Sequence, residues 1–265
     1  MPELVEVEVL LSKFRKFKKP IFNQIYAKSS RFSAEKANGL AVTDFKRKGK
    51  FILMQTEKPL LIVLHLGMSG AVLYGDHTDT ETNVRSVFYL NEQSFTLIDP
   101  RGFGRFTTVL TKNLSSFSPT LSGLGFDPLD PNFPSDKAAA LLEKHNKVKP
   151  MKQVLLEQKV LAGVGNYIAD EALYVARVNP SSLNSNYETC LLVTNAILDI
   201  CQTSLNNKGL SIRDYKLVDG SLGSFADYLR VYGRKGKECF TCSSILESVK
   251  ISGRTSTFCG NCQKL

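Results

Sequence analysis

The sequence predicts an α+β protein in which strands come first and helices follow. Three observations carry this. Short runs of β-branched and aromatic residues fill positions 1 to about 115. A stretch from 118 to 136 then holds four prolines and two glycines, the composition of a hinge between domains. Helical periodicity takes over from 137 to about 208, and the last 27 residues hold four of the six cysteines.

The chain opens with a helical pattern over Val5–Phe17. The strand runs that follow include 50–55, 60–66, 86–90 and 94–98, with a turn expected at Asn91-Glu92-Gln93. Short strands joined this way make a sandwich or partial barrel. Beyond the hinge, Ser135-Asp136 is positioned to cap a helix over 137–145, and further helices are expected over 151–158, 167–177 and 187–205. Pro150 and Pro180 punctuate them. Cys190 and Cys201 lie eleven residues apart, about three turns, and read as buried thiols on one helix face. The loop 219–224 is expected to be mobile. The domains expected are 1–117, a hinge over 118–136, 137–225 and 226–265.

The formal net charge is +9, which points to a polyanionic partner, nucleic acid first and an acidic membrane surface second. No apolar run is long enough to span a bilayer. Without a signal-peptide pattern, a cytoplasmic or nuclear-type compartment is the expectation.

Four constellations carry chemistry. Cys239-Phe-Thr-Cys242 and Cys259-Gly-Asn-Cys262, sixteen residues apart, have the spacing of a closed tetrahedral zinc site. A segment this short needs the metal because its own core is too small. Near the tip of the implied hairpin, Arg254 is suited to hold phosphate.

Met1-Pro2-Glu3-Leu-Val-Glu6 is the second. Removal of Met1 leaves a prolyl amine, which forms a Schiff base as a catalytic lysine does, from a lower starting pKa. Two carboxylates stand beside it for acid–base work. The same residues also fit a charged, frayed terminus.

The third joins His65-Leu-Gly-Met68-Ser-Gly to Asp99-Pro-Arg101-Gly-Phe103-Gly. An arginine flanked by bulky apolar groups can enter a duplex; the spacing equally fits a hairpin with a core Met and Phe. The fourth is a glycine turn into a helix, Gly163-Val-Gly165-Asn166, which can present backbone N–H groups to phosphate or serve packing alone. The basic run 46–50 is a solvated face or a phosphate contact.

Together these segments resemble the formamidopyrimidine-DNA glycosylase / endonuclease VIII family along essentially the whole chain. The motifs are Pro-Glu-Leu-x-Glu-Val-Glu, Arg-x-Gly-Lys, His-Leu-Gly-Met-Ser-Gly, Asp-Pro-Arg-x-Phe-Gly, Ala-Gly-x-Gly-Asn, Val-Tyr-Gly-Arg-Lys-Gly and a final Cys-Gln-Lys. The resemblance implies an N-terminal β-sandwich, a hinge, a helix–two-turn–helix domain and a zinc-finger hairpin with one structural Zn2+. It implies a monomer acting on duplex DNA that contains oxidised bases or abasic sites.

The resemblance also implies roles. Pro2 is the nucleophile, Glu3 protonates the sugar ring oxygen, Glu6 supports that site, and Lys50 lies near the lesion-side phosphate. Met68, Arg101 and Phe103 fill the space of a flipped nucleotide, with His65 close to it. Asn166 and Arg254 grip phosphate, and Lys152 is linked to oxidised-purine processing. The complete Met/Arg/Phe set resembles the 8-oxoguanine branch. Oxidised pyrimidines or hydantoins, a silent damage-binding protein and a zinc-ribbon binding module are the rival readings. Three departures stand out: Val5 and Gly102 replace a usual proline and a common basic residue, and Asn166-Tyr-Ile-Ala-Asp-Glu differs from the commonest bacterial form.

Overall fold

A computed structural model describes residues 2–78, 82–117, 119–211 and 217–264. Met1, whose removal the sequence reading requires, lies outside them. The chain divides into two compact units, Met1–Ser122 with Asn207–Ala226, and Gly123–Asn206 with Asp227–Leu265.

In the first unit, helix α1 (Leu4–Phe14) precedes eight strands. These are β1 (Ile21–Ala27), β2 (Leu40–Lys48), β3 (Phe51–Thr56), β4 (Leu60–His65), β5 (Ala71–Tyr74), β6 (Val84–Leu90), β7 (Gln93–Ile98) and β8 (Arg105–Leu110). Every neighbouring pair is antiparallel, in the order β5-β7-β6-β1-β2-β3-β4-β8. The β1–β2 join is short, only Ile21↔Ala41 and Phe22↔Leu40. The sheet therefore folds into two four-stranded leaves that face each other. Phe88 on β6 meets Phe106 on β8 with ring centroids 4.8 Å apart, and Phe22 lies 6.0 Å from Phe106. Inward and outward residues alternate along β3 as a half-buried strand requires.

Helix α1 plugs this aromatic core. Leu4, Val7, Leu11 and Phe14 recur at three- and four-residue intervals and are all buried. The Phe14 ring sits 5.2 Å from Phe95 and 6.1 Å from Phe45. The helix stops at Phe14, three residues before the expected end. Its first turn is complete despite Val5: Glu3 and Glu6 form a reciprocal capping box, and Val5 itself is buried.

Residues 207–225 were expected with the helical domain and 226 with the zinc finger, yet the described residues of Asn207–Ala226 belong to the first unit. Backbone N–H groups find partners there: Leu210 N donates to Glu6 Oε1 at 2.8 Å, and Tyr74 N donates to the Val218 carbonyl at 2.8 Å. The loop expected to be mobile closes as a turn, with Leu217 N donating to the Ser221 carbonyl and Ser221 N to Asp219 Oδ1.

Two short helices, α2 (Leu114–Phe117) and α3 (Pro119–Ser122), end the sandwich segment. The second unit holds α4 (Ser135–Asn146), α5 (Met151–Leu156), α6 (Asn166–Val175) and α7 (Tyr187–Asn206), followed by the hairpin β9 (Glu247–Ile251) and β10 (Arg254–Phe258). Ser135 and Asp136 do not cap α4. Pro134 is the N-cap, so both fall inside the first turn, and Asp136 instead accepts the Tyr187 hydroxyl at 2.9 Å. Pro150 is the N-cap of α5, whose N-terminal amides are satisfied by the Pro180 and Ser182 carbonyls. Cys190 and Cys201 are both fully buried on α7. Among the described residues no helix is long and apolar enough to cross a membrane.

Candidate functional site

The N-terminus of α1 is built to hold Pro2 still. Pro2, Glu3 and Glu6 are buried. Glu6 Oε2 accepts the Glu3 N–H at 2.7 Å while its Oε1 accepts Leu210 N–H at 2.8 Å. One carboxylate thus ties the first turn of the helix to a segment 204 residues away. Burial and the positive end of the helix dipole both disfavour a protonated amine at Pro2. A neutral secondary amine is what a Schiff-base nucleophile needs.

Lys50 and His65 come together on the same leaf. Lys50 lies in the two-residue turn between β2 and β3, and His65 ends β4 with its ring 4.5 Å from that of Phe51. Burial, then the positive charges of Lys50, Arg105 and Arg31, push the His65 imidazole down to about 4. It is neutral at pH 7, and its Nδ1 accepts the Gly67 N–H at 3.1 Å.

The two loops expected to enter a duplex lie against each other. A Cβ on Gly67, where φ is +66°, would stand 2.5 Å from Gly104 N. Only glycine allows this approach. Beyond it, Met68 is 42% exposed and Phe103 50% exposed, with the Arg101 guanidinium 5.1 Å from the Phe103 ring centre. Exposed side chains on a tightly held backbone are what a wedge needs, and a core hairpin is ruled out for these residues. The backbone is held by groups the sequence did not single out. Buried Asp99 accepts Ser69 Oγ at 2.6 Å and Gly104 N at 2.7 Å. Arg31 donates to the Gly104 and Phe103 carbonyls at 2.7 and 2.9 Å, and Arg85 donates to the Asp99 carbonyl at 2.8 Å. Asp99 had a sequence signal, since it heads the Asp-Pro-Arg motif; Arg31 and Arg85 had none. Gly102 has φ +67°, so the missing basic side chain is replaced by a residue at ease in that turn.

In the second unit, Asn166 is the first residue of α6 and its Nδ2 donates to the Thr255 carbonyl at 3.0 Å, next to exposed Arg254. Lys152 requires a correction. Expected among the DNA contacts, it is completely buried, and its Nζ donates to the Asn166 carbonyl at 2.8 Å and to Asp170 Oδ1 at 2.6 Å. A side chain so enclosed acts on its neighbours, not on a ligand at the surface. Glu171, also unforeseen, accepts the N–H groups of Arg230, Val231 and Tyr232 at 2.7 to 3.0 Å. It fixes the start of the Val-Tyr-Gly-Arg segment.

The four cysteine sulfurs lie within 4.8 Å of one another. Cys239–Cys262 and Cys242–Cys259 are 3.9 and 3.5 Å apart. A tetrahedron with Zn–S bonds of about 2.3 Å has edges of about 3.8 Å, so the donor set fits one zinc ion with no open position. Cys239, Cys242, Cys259 and Cys262 would hold it. The knuckles dock on α6 through Tyr174, whose hydroxyl lies 2.7 Å from Thr241 Oγ1. Buried Gln263 latches the end of the chain, donating to the Val178 carbonyl at 2.9 Å.

Comparison with known proteins agrees with this organisation. Residues 1–106 match the formamidopyrimidine-DNA glycosylase N-terminal domain, 124–216 the H2TH domain of the same glycosylases, and 236–265 a zinc finger found in FPG and IleRS. A formamidopyrimidine-DNA glycosylase of Wolbachia pipientis wMel is 32% identical over 277 residues, covering 99% of this chain and 100% of the relative. The crystal structure of the MutM (FPG) protein from Thermus thermophilus superposes with a TM-score of 0.89 at 30% identity, covering 99% of this chain and 98% of that one. A complex of Lactococcus lactis Fpg with DNA containing an abasic site gives 0.87 at 26%, covering 99% and 100%.

Proposed function

The chain belongs to the formamidopyrimidine-DNA glycosylase family, and from that premise we propose that its reaction runs through the amine of Pro2 with the residues of α1 and the wedge loops in the roles below. The protein is a DNA glycosylase with abasic-site lyase activity that acts in base-excision repair on duplex DNA, and it carries one structural zinc.

The Pro2 nitrogen attacks C1′ of the damaged nucleotide, and the C1′–base bond breaks with the electron pair leaving on the base. Glu3 takes the proton that the Pro2 nitrogen loses on bonding to C1′ and gives it to the ring oxygen as the sugar opens, and the nitrogen and C1′ become an iminium. That cation acidifies the 2′ carbon. Loss of a 2′ proton expels the 3′ phosphate, and a second elimination expels the 5′ phosphate. Glu6 touches no reacting atom; it fixes the Glu3 backbone and thereby the direction of the Pro2 amine. Lys50 sits beside neutral His65 and offers positive charge to the phosphate next to the lesion. Zinc supplies only cross-linking, as four thiolates leave it no open position.

The observation that carries this reading is the capping box of Glu3 and Glu6, which buries a prolyl residue at the positive end of a helix. The exposed Met68, Arg101 and Phe103 support oxidised purines, 8-oxoguanine and formamidopyrimidines, as the substrates: flipping needs a filler for the hole and a donor for the orphaned base. We place the enzyme as a monomer where duplex DNA is held, in the cytoplasm of a prokaryote or the nucleus of a eukaryote.

Borohydride trapping on an 8-oxoguanine:cytosine duplex tests it. We expect a covalent adduct that is lost in Pro2→Gly. An adduct formed only with oxidised pyrimidines would reassign the substrate, and tight binding with no adduct on any lesion would make the protein a damage binder.

A further inference from the structure

A buried charged cluster in the second unit has no part in the chemistry above. Lys152 and Asp170 are 0% and 1% exposed and pair at 2.6 Å. Asp170 also accepts the Ser256 hydroxyl and, at 3.3 Å, the Thr257 N–H. Lys152 holds the Asn166 carbonyl at 2.8 Å, and the Asn166 amide donates to the Thr255 carbonyl at 3.0 Å. The first residue of α6 and three successive residues after Arg254 therefore hang on one ammonium–carboxylate pair.

From this geometry we infer that Lys152 and Asp170 are positioning residues that set the distance between the Asn166 and Arg254 side chains, so that both meet the same stretch of DNA backbone. The inference rests on reading Asn166 and Arg254 as phosphate contacts. Burying two charges is costly, and well-packed apolar residues in their place are often as stable or more so. A buried pair is better suited to fixing register than to holding a fold together.

Register is what this location needs. Asn166 opens a helix and Arg254 opens a strand 88 positions later in the chain. Among the described residues no backbone hydrogen bond of a shared sheet or helix relates them, and β10 pairs there with β9. One Asn166 N–H is already committed to Thr255, which aims the other. A shift of the hairpin by one residue would move Arg254 to the opposite face of its strand. The buried Asp170 carboxylate resists such a shift, since any other register takes the Ser256 hydroxyl and the Thr257 N–H away from it.

The test is a mutant cycle read by binding to a duplex containing a stable abasic-site analogue across a range of salt. Arg254→Ala is expected to weaken binding about tenfold, as loss of one charge-assisted contact does, and to lower the salt slope by about 0.9. The paired replacement Lys152→Met/Asp170→Leu is expected to keep its zinc and its Tm and yet reproduce that loss and that slope. Adding Arg254→Ala to it should then cost nothing further. Unchanged binding in the apolar pair, or losses that simply add, would overturn the inference while leaving the Arg254 contact intact. Unchanged binding in Arg254→Ala alone would instead remove the contact on which the inference stands. If the apolar pair does not fold, Ser256→Ala, which removes a hydrogen bond from the hairpin to Asp170 and leaves the buried ion pair intact, carries the same prediction.

Discussion

His65 shows how one side chain can be set by its surroundings before any ligand arrives. Burial and three nearby cations hold it down at about 4, against 6.5 for an unhindered imidazole. The native state keeps it neutral where the unfolded chain takes up a proton. Above pH 6.5 the group makes no difference, and as pH falls from there toward 4 stability is lost, by of order 3 kcal/mol in the limit. In His65→Asn the amide oxygen takes the place of Nδ1 and can still accept the Gly67 N–H, so urea unfolding between pH 7.5 and 4 should show a shallower decline than in the parent. Parallel curves would mean the imidazole titrates freely. Much of this site was legible as residue types, because Pro2, Glu3 and the four cysteines announce their chemistry by position and spacing. Lys152 was not legible. A lysine reads as surface charge, and only packing reveals that it lies in a core opposite Asp170.

The wedge loops make the corresponding case at the level of elements. Each crosses from one leaf to the other, β4 to β5 and β7 to β8, and they meet because Gly67 lets the two backbones touch. Gly67→Ala would require both a strained φ and a clash with the Gly104 backbone. We expect destabilisation of about 1–3 kcal/mol. Base excision from a lesion duplex should fall by more than cleavage at a preformed abasic site, which needs less opening of the duplex. Equal losses in both assays would show that the loops serve stability alone. The strands and helices were largely foreseeable from periodicity, as with β3 and α7. The ends were set by context. Phe14 ends α1 inside the aromatic core, and Pro134 takes the cap that Ser135 was expected to supply. The pairing of β1 with β6, two elements separated by four other strands, has no signal in local sequence.

Across the whole molecule, metal and hydrophobic burial divide the work. The sandwich has a large apolar core of its own, whereas the hairpin segment contributes little beyond Val231, Leu246 and the cysteines packed on Tyr174. Removing zinc should therefore unfold the hairpin and abolish DNA binding while the strand signal of the sandwich persists in far-ultraviolet circular dichroism. Restoring zinc should restore binding. Loss of both signals together on chelation would show that the sandwich depends on the metal. The division of the chain into units was the least legible feature. Proline and glycine content marked a boundary near 118–136, but nothing in residues 207–226 declares that they return to the first unit.

That return has a consequence for how the enzyme is made. The Glu6 carboxylate waits for the backbone of Leu210, and synthesis runs from the N-terminus. A ribosome must therefore translate some two hundred residues after Glu6 before the helix that carries the nucleophile has this partner. The amine that performs the chemistry emerges long before the backbone that helps lock it in place. A fragment released early would carry a reactive N-terminus with nothing to aim it.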